Sequence, residues 1–200
     1  VTISPKYRPR LVVMVKEPQL GRVKTRLGRD IGSVPATWWF RHQVNRLLRE
    51  VTDPRWQLIL AVSPDVAGLS SRVWPTHLRR ITQGQGDLGA RMARLLDVPQ
   101  KGPVVLIGGD IPDVRRSHIA DAFAKLGNNS AVFGPATDGG FWLVGLKRTT
   151  PAPRGMFKGV RWSTKHALAD TLATMPQYAP AMAATLNDVD TLADLAQIDR

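Results

Sequence analysis

Pro103-Val104-Val105-Leu106-Ile107-Gly108-Gly109-Asp110 is an unbroken apolar run that stops at glycines and an acid. A strand buried on both faces reads this way, because neither side of its pleat meets water. Such a strand needs helices above and below it, and the flanking sequence alternates accordingly. Strands are expected at Leu11–Lys16, Trp56–Val62 and Arg80–Gln83 before the run. They are expected at Ala131–Gly134, Phe141–Leu146 and near Thr185–Leu186 after it.

Helices are expected between these strands. The first spans about 34–51, with Phe40, Val44, Leu47, Leu48 and Val51 on one stripe. Ser33 stands as its N-cap and Pro35 fits its first turn. Others are read from Asp87 to Leu96, from a Ser117 cap to about Leu126, from a Ser163 cap to about Thr174, and from Thr191 onward. Glu17–Gly32 reads as a basic loop punctuated by Gly and Pro. The expected architecture is a three-layer α/β/α sandwich, Rossmann-like, with a mostly parallel sheet in a single domain spanning 1–200.

Composition agrees. Two hundred residues with 43% hydrophobic and 22% charged side chains suit one folded domain. No apolar run reaches the roughly 20 residues of a membrane-spanning helix. The first residues lack a signal-peptide pattern, so the expected location is cytoplasmic. The absence of cysteine excludes disulfides, thiolate catalysis and cysteine zinc sites. The net charge of +12 is lopsided: residues 1–95 carry 17 Lys/Arg against 6 Asp/Glu, and residues 96–200 carry 11 against 10. The field favours an anionic partner, although solvated arginine-rich helix faces explain part of it. No nucleic-acid-binding motif accompanies the charge, which argues against DNA or RNA.

In open α/β sheets ligands bind beyond the carboxyl ends of the strands, so the loops there are the candidate site. After the first strand come Arg22, Lys24 and Arg26 at alternate positions, behind Gly21. Arg offers phosphate a planar fork and Lys a point charge. Asp110 ends the 103–108 strand, where a carboxylate can hold a hard cation or a ribose. Asp138 precedes Gly139 and Gly140, in either a functional loop or a plain turn. Asp188 and Asp190 stand two apart and share a face if extended. Asp190 falls where the last helix needs an N-cap, so it reads mainly as structural and Asp188 as the metal candidate.

Gly84, Gly86 and Gly89 also satisfy the G-x-G-x-x-G spacing of a dinucleotide site. That reading leaves the basic first loop and the later acidic loops unexplained. No nucleophile elbow or Walker A sequence is present. His42, His77, His118 and His166 are dispersed without ligand spacing. Trp142 and Trp162 flank the candidate loops and read as core or pocket walls.

At these loops the chain resembles the radical-SAM/selenodomain-associated transferase 1 family, also known as arsenosugar-biosynthesis-type glycosyltransferases. The family's K-x-P-x-x-G-x-V-K-T-R-L is Lys16 to Leu27 here, and its Q-x-x-G-D-L-G-x-R-M is Gln83 to Met92. G-x-D-x-P runs from Gly108 to Pro112, and G-P-x-x-D-G-G-[YF]-W-L-x-G-L from Gly134 to Leu146. W-S-T is Trp162 to Thr164, and D-x-D-T is Asp188 to Thr191.

The resemblance implies a GT-A nucleotide-diphospho-sugar transferase fold. It implies that Lys24 contacts nucleotide phosphates and that Asp110 and Asp188 bind Mg²⁺ or Mn²⁺. It places the 83–89 loop, with Gln83, Gly86, Asp87 and Gly89, near base and ribose. The L-x-G-G-x-G-x-R-M loop of more distant guanylyltransferases is absent.

The expected activity is thus a metal-dependent transfer from a nucleotide or nucleotide-sugar donor to a small-molecule acceptor. Lys24, Asp110 and Asp138 are the catalytic candidates, and Arg22 and Arg26 join Lys24 on the phosphates. Glycosyl transfer is the first reading and nucleotidyl transfer with pyrophosphate release the alternative. An NAD-binding oxidoreductase and a non-catalytic nucleic-acid-binding protein are distant rivals.

Overall fold

The structure is a computed structural model that describes residues 7–97 and 100–198. Seven strands form one sheet: β1 (Arg10–Lys16), β2 (Gln57–Ser63), β3 (Arg79–Thr82), β4 (Val104–Gly108), β5 (Ala131–Pro135), β6 (Phe141–Leu146) and β7 (Ala181–Met182). Their order is β3-β2-β1-β4-β6-β5-β7. Every pairing is parallel except those of β6, which runs antiparallel to β4 and β5. The cause is local. Residues 136–140 between β5 and β6 are too few for a crossover, and Ala136 and Gly140 close a tight turn (Ala136 N–H to Gly140 O, 3.0 Å). One consequence matters for the site. The first residues of β6, Phe141 and Trp142, lie at the same sheet edge as the carboxyl end of β4.

Helices cover both faces: α1 (Thr25–Ile31), α2 (Ser33–Val51), α3 (Asp65–Ser70), α4 (Leu88–Leu96), α5 (Arg116–Asn128), α6 (Ala167–Ala173) and α7 (Leu192–Ile198). The two cores follow from the pleat. Leu11, Val13 and Val15 of β1, with Val105 and Ile107 of β4, face the stripe of α2 and the Ile119–Phe123–Leu126 side of α5. Val12 of β1, with Val104 and Leu106 of β4, faces Met92, Leu95 and Leu96 of α4, and Met156, Phe157 and Ala167.

Several expectations need correction. The 17–32 segment holds α1, introduced by Lys24 in the left-handed conformation (φ 45°, ψ 48°) and closed by Gly32 at φ 94°. No apolar stripe announces so short a helix; among its residues Leu27 is the buried one. The last strand is Ala181–Met182 rather than 185–186, although Leu186 N–H still reaches Pro135 O at 3.1 Å. α3, unforeseen, presses so close to β2 that a Cβ on Gly68 would stand 2.5 Å from Val62 Cβ. Ser33 is the first residue of α2, and Gly32 caps it. Neither Ser117 nor Ser163 caps its helix. Arg115 precedes α5, its N–H held by His118 Nδ1 at 3.2 Å, and His166 precedes α6.

Many arginines also depart from the solvated reading. Arg80 donates to the carbonyls of Leu69, Ser71 and Trp74, Arg94 to those of Gln83 and Gln85, and Arg10 to those of Gln100 and Gly102. A guanidinium has five donors and no acceptor, which suits it to clip loop carbonyls that have no ladder partner.

Candidate active site at the carboxyl edge of the sheet

Lys24 is the centre of the arrangement. Its left-handed backbone turns the chain into α1 and directs its side chain inward, where only 5% of it is exposed. The ammonium donates to Asp110 Oδ2 at 2.5 Å and to Asp190 Oδ1 at 2.7 Å. Arg26 Nη1 reaches the other oxygen of Asp190 at 3.3 Å. Burial works against the charge on Lys24, but the carboxylates of Asp110 and Asp190 together outweigh it, and its pKa is raised.

Asp110 follows β4 directly. Gly109 beside it lets β4 and β1 end close together, since a Cβ there would meet Val15 Cγ1 at 3.1 Å and Met14 O at 3.2 Å. Asp188 completes the acidic group. Burial first, and then the nearby Asp110, push its carboxyl up to about 6, with Lys24 pulling the other way.

Asp110, Asp188 and Asp190 each present an oxygen within 4.8 Å of the others. A hard divalent cation holds carboxylate oxygens at about 2.0–2.6 Å, so oxygens across it stand about 4–5 Å apart. The all-oxygen donor set and its spacing fit such an ion.

Asp190 therefore does not serve as the expected N-cap. Thr191 and Asp194 do that work: Asp194 Oδ2 accepts from the N–H groups of Asp190 and Thr191 at 3.0 and 2.8 Å, and Thr191 Oγ1 accepts from Asp194 N–H at 3.3 Å. The signal was in the sequence, because Thr191 and Asp194 have capping-box spacing. With the cap supplied from 191 and 194, the Asp190 side chain is free to face Lys24.

Two adjoining clefts open on this group. The first, about 530 Å³, is lined by Lys16, Arg22, Lys24 and Arg26 over an apolar floor that includes Met14, Phe40 and Met92. The second, about 280 Å³, is lined by Phe141, Trp142 and Trp162 and by Asp138 and Asp188. Asp110, Asp190 and Arg26 lie on both. Arg22 and Arg26 are exposed.

The remaining expected residues divide. Asp138 is exposed and accepts from Gly140 N–H at 2.8 Å, the hydrogen bond of a plain turn, yet it lines the second cleft. Its loop is tied to the acidic segment by Asn187 Oδ1, which accepts from Thr137 N–H at 3.0 Å and Thr137 Oγ1 at 2.8 Å. Gln83 lines the first cleft, but its Nε2 donates to Val15 O and Ala61 O at 3.0 and 2.8 Å, pinning the ends of β1 and β2.

Gly86, Asp87 and Gly89, expected near the nucleotide, are not among the residues that line these two clefts. Gly86 turns the backbone at φ 105°, and Asp87 caps α4 through Ala90 N–H at 2.8 Å. Gly89 lets α4 approach Phe157 and Trp162, where a Cβ would stand 2.8 Å and 3.0 Å from their atoms. Sequence reasoning missed Leu88, Met92 and Phe141 as walls shared by both clefts.

This sheet order, with a carboxylate cluster beyond β4, places the chain in the nucleotide-diphospho-sugar transferase class of α/β folds. It belongs to the family described as "uncharacterized protein conserved in bacteria (DUF2064)", whose model matches residues 47–164. A candidate nucleotide-diphospho-sugar transferase from Desulfovibrio desulfuricans G20 is 31% identical, with TM-score 0.87, over 97% of this chain and 87% of that one.

More distant structures share the fold. The 4-diphosphocytidyl-2C-methyl-D-erythritol synthase of Anaerococcus prevotii DSM 20548 has 10% identity and TM-score 0.64 over 98% of this chain and 97% of that one. Rv0371c of Mycobacterium tuberculosis H37Rv, solved with manganese, has 16% identity and TM-score 0.56 over 96% and 97%. No curated protein sequence matches significantly.

Proposed function

We propose that this chain is a divalent-metal-dependent transferase that takes a glycosyl group from a nucleotide-sugar, of the kind the radical-SAM/selenodomain-associated resemblance implies. The observation that carries this reading is the meeting of Lys24 with Asp110, Asp188 and Asp190 between a cationic cleft and an aromatic one. The likeness to the candidate nucleotide-diphospho-sugar transferase of Desulfovibrio supports the donor class, and the manganese bound by Rv0371c fits the choice of metal.

Arg22 and Lys24 bind the donor's diphosphate in the first cleft, with Arg26 at the rim. Asp110, Asp188 and Asp190 would hold Mg²⁺ or Mn²⁺, which would neutralise the charge gathering on the leaving diphosphate. The acceptor hydroxyl oxygen bonds to the sugar carbon as the bond from that carbon to the diphosphate oxygen breaks. The bonding pair leaves with the nucleoside diphosphate. Asp138, exposed on the acceptor side, receives the hydroxyl proton.

A second reading is nucleotidyl transfer, favoured by the fold shared with a synthetase solved with CTP and with an inositol-1-phosphate CTP transferase. There the acceptor attacks the α-phosphorus and pyrophosphate leaves. Product analysis separates the two: the glycosyl reading expects a nucleoside diphosphate from a nucleotide-sugar, and pyrophosphate from a nucleoside triphosphate would overturn it. Binding is tested by a thermal-shift screen of nucleotide-sugars and nucleoside triphosphates with and without Mn²⁺. Asp110→Ala is expected to abolish the metal-dependent part of the shift, and its persistence would remove Asp110 from the metal site.

A further inference from the structure

The two clefts are built from different chemistry, and the difference specifies the acceptor. The first cleft holds Lys16, Arg22 and Lys24, none of which lines the second. The wall of the second carries four carboxylates, of Asp110, Asp138, Asp188 and Asp190, against the single guanidinium of Arg26. That guanidinium already faces Asp190 at 3.3 Å. With Arg26 and Lys24 counted, a divalent ion on the carboxylates would bring the group only to neutrality, and the lining residues hold no further cation for a second phosphate.

The lining also includes three aromatic side chains, Phe141, Trp142 and Trp162, with Phe157 packed behind Trp162. Phe141 and Trp162 meet edge to face with centroids 6.2 Å apart, and Trp162 and Phe157 tilt together at 5.9 Å. Trp142 is fixed by its Nε1 hydrogen bond to Ala184 O at 2.9 Å. Aromatic rings and carboxylates lining one cleft, with Asp138 the exposed carboxylate among them, suit a molecule with one apolar C–H face and one hydroxyl-bearing edge.

Resting on the reading of the first cleft as the donor-phosphate site, we propose that the second cleft is the acceptor subsite and that it selects an uncharged polyhydroxy compound, a neutral sugar or polyol, over a phosphate ester. Its C–H face lies on Trp162 and Phe141, and its hydroxyls turn to Asp138. Anionic acceptors are disfavoured by four carboxylates, against which the residues lining the cleft set only Arg26. This selectivity separates the chain from transferases whose acceptor is itself a phosphate.

Mn²⁺ is the probe for this subsite, because it speeds the relaxation of ligand protons near it. The full chain is loaded with Mn²⁺ and a saturating nucleoside diphosphate, each binding event being verified first by electron paramagnetic resonance and by calorimetry. Glycerol, myo-inositol and methyl glucoside are then compared with glycerol phosphate, inositol phosphate and glucose 1-phosphate by proton NMR. Relaxation enhancement of the neutral compounds, and not of the phosphate esters, is expected. Trp162→Ala should weaken that enhancement about five- to tenfold and Trp162→Phe much less, both keeping nucleotide and Mn²⁺ affinity.

Enhancement of the esters over the neutral compounds, or of neither set with Mn²⁺ and nucleotide bound, would overturn the acceptor proposal alone. Failure of Mn²⁺ or nucleotide to bind would instead overturn the reading of the donor site, and the acceptor proposal with it.

Discussion

At the scale of single residues, the molecule's most telling feature is a lysine whose charge is held by two carboxylates rather than by water. Removing it leaves those carboxylates facing each other. Lys24→Ala is expected to cost about 1.5–3 kcal/mol of metal-free stability, the usual cost of lost hydrogen bonds to charged groups. It is also expected to enlarge the stabilisation that Mn²⁺ gives, because the ion then takes over Lys24's role. Denaturant titration with EDTA and with Mn²⁺ reads both effects.

Asp188 gives a pH signature. Its carboxyl is raised to about 6, against about 3.9 for an ordinary aspartate, so between those values the folded chain holds a proton that the unfolded chain has released. Stability of the metal-free protein from this group therefore rises as pH falls from about 7 to about 5. The ion must displace the same proton, so the Mn²⁺-dependent rise in melting temperature shrinks over that range. Melting curves of the native chain minus those of Asp188→Asn, in EDTA and in Mn²⁺, should show slopes of opposite sign. Equal slopes would remove Asp188 from the ion's surroundings.

At the scale of elements, the site depends on how three loops are held. Gly139 sits at φ 85°, and a Cβ there would stand 2.2 Å from Lys165 O. Its own carbonyl accepts from Leu168 N–H at 3.0 Å, joining the β5–β6 turn to α6. Gly139→Ala is expected to destabilise the chain by about 1–3 kcal/mol. The corresponding fall in melting temperature, at about 2–4 °C per kcal/mol, is measurable by calorimetry.

Asn187 acts differently. It holds Thr137 by two hydrogen bonds and so sets the distance between the Asp138 loop and Asp188. Asn187→Ala should cost only about 1 kcal/mol of stability yet weaken Mn²⁺ binding several-fold, as loss of a support behind metal ligands does. Calorimetric titration with Mn²⁺ checks it, and an unchanged affinity would mean the two loops are positioned independently.

At the scale of the whole molecule, the charge of +12 has two parts. Arginines such as Arg10, Arg80 and Arg94 are bound to backbone carbonyls and serve the fold. Arg22 and Arg26 stay exposed at the mouth of the first cleft and contribute to the field that an approaching anion meets. Nucleotide association is therefore expected to slow with ionic strength, by about tenfold or more from low to high salt, while dissociation changes little. Stopped-flow mixing at several salt concentrations tests this. No described helix is long and apolar enough to cross a membrane.

Sequence alone placed every strand but β7, because apolar runs such as 103–108 call for a sheet covered on both faces. It also marked the loops beyond β1, β4 and β5, because glycine, acid and base stand at the strand ends. The tertiary structure alone decided which of those residues meet. Lys24 and Asp110 are 86 positions apart, and Lys24 and Asp190 are 166 apart, so no local pattern can pair them. It gave Asp190 to the lysine rather than to a helix cap. It gave Gly86, Asp87 and Gly89 roles in helix entry and packing that their spacing did not announce. The physical reason is that propensity and periodicity act over a few neighbouring residues, whereas charge pairing depends on distances that only the closed sheet brings within reach.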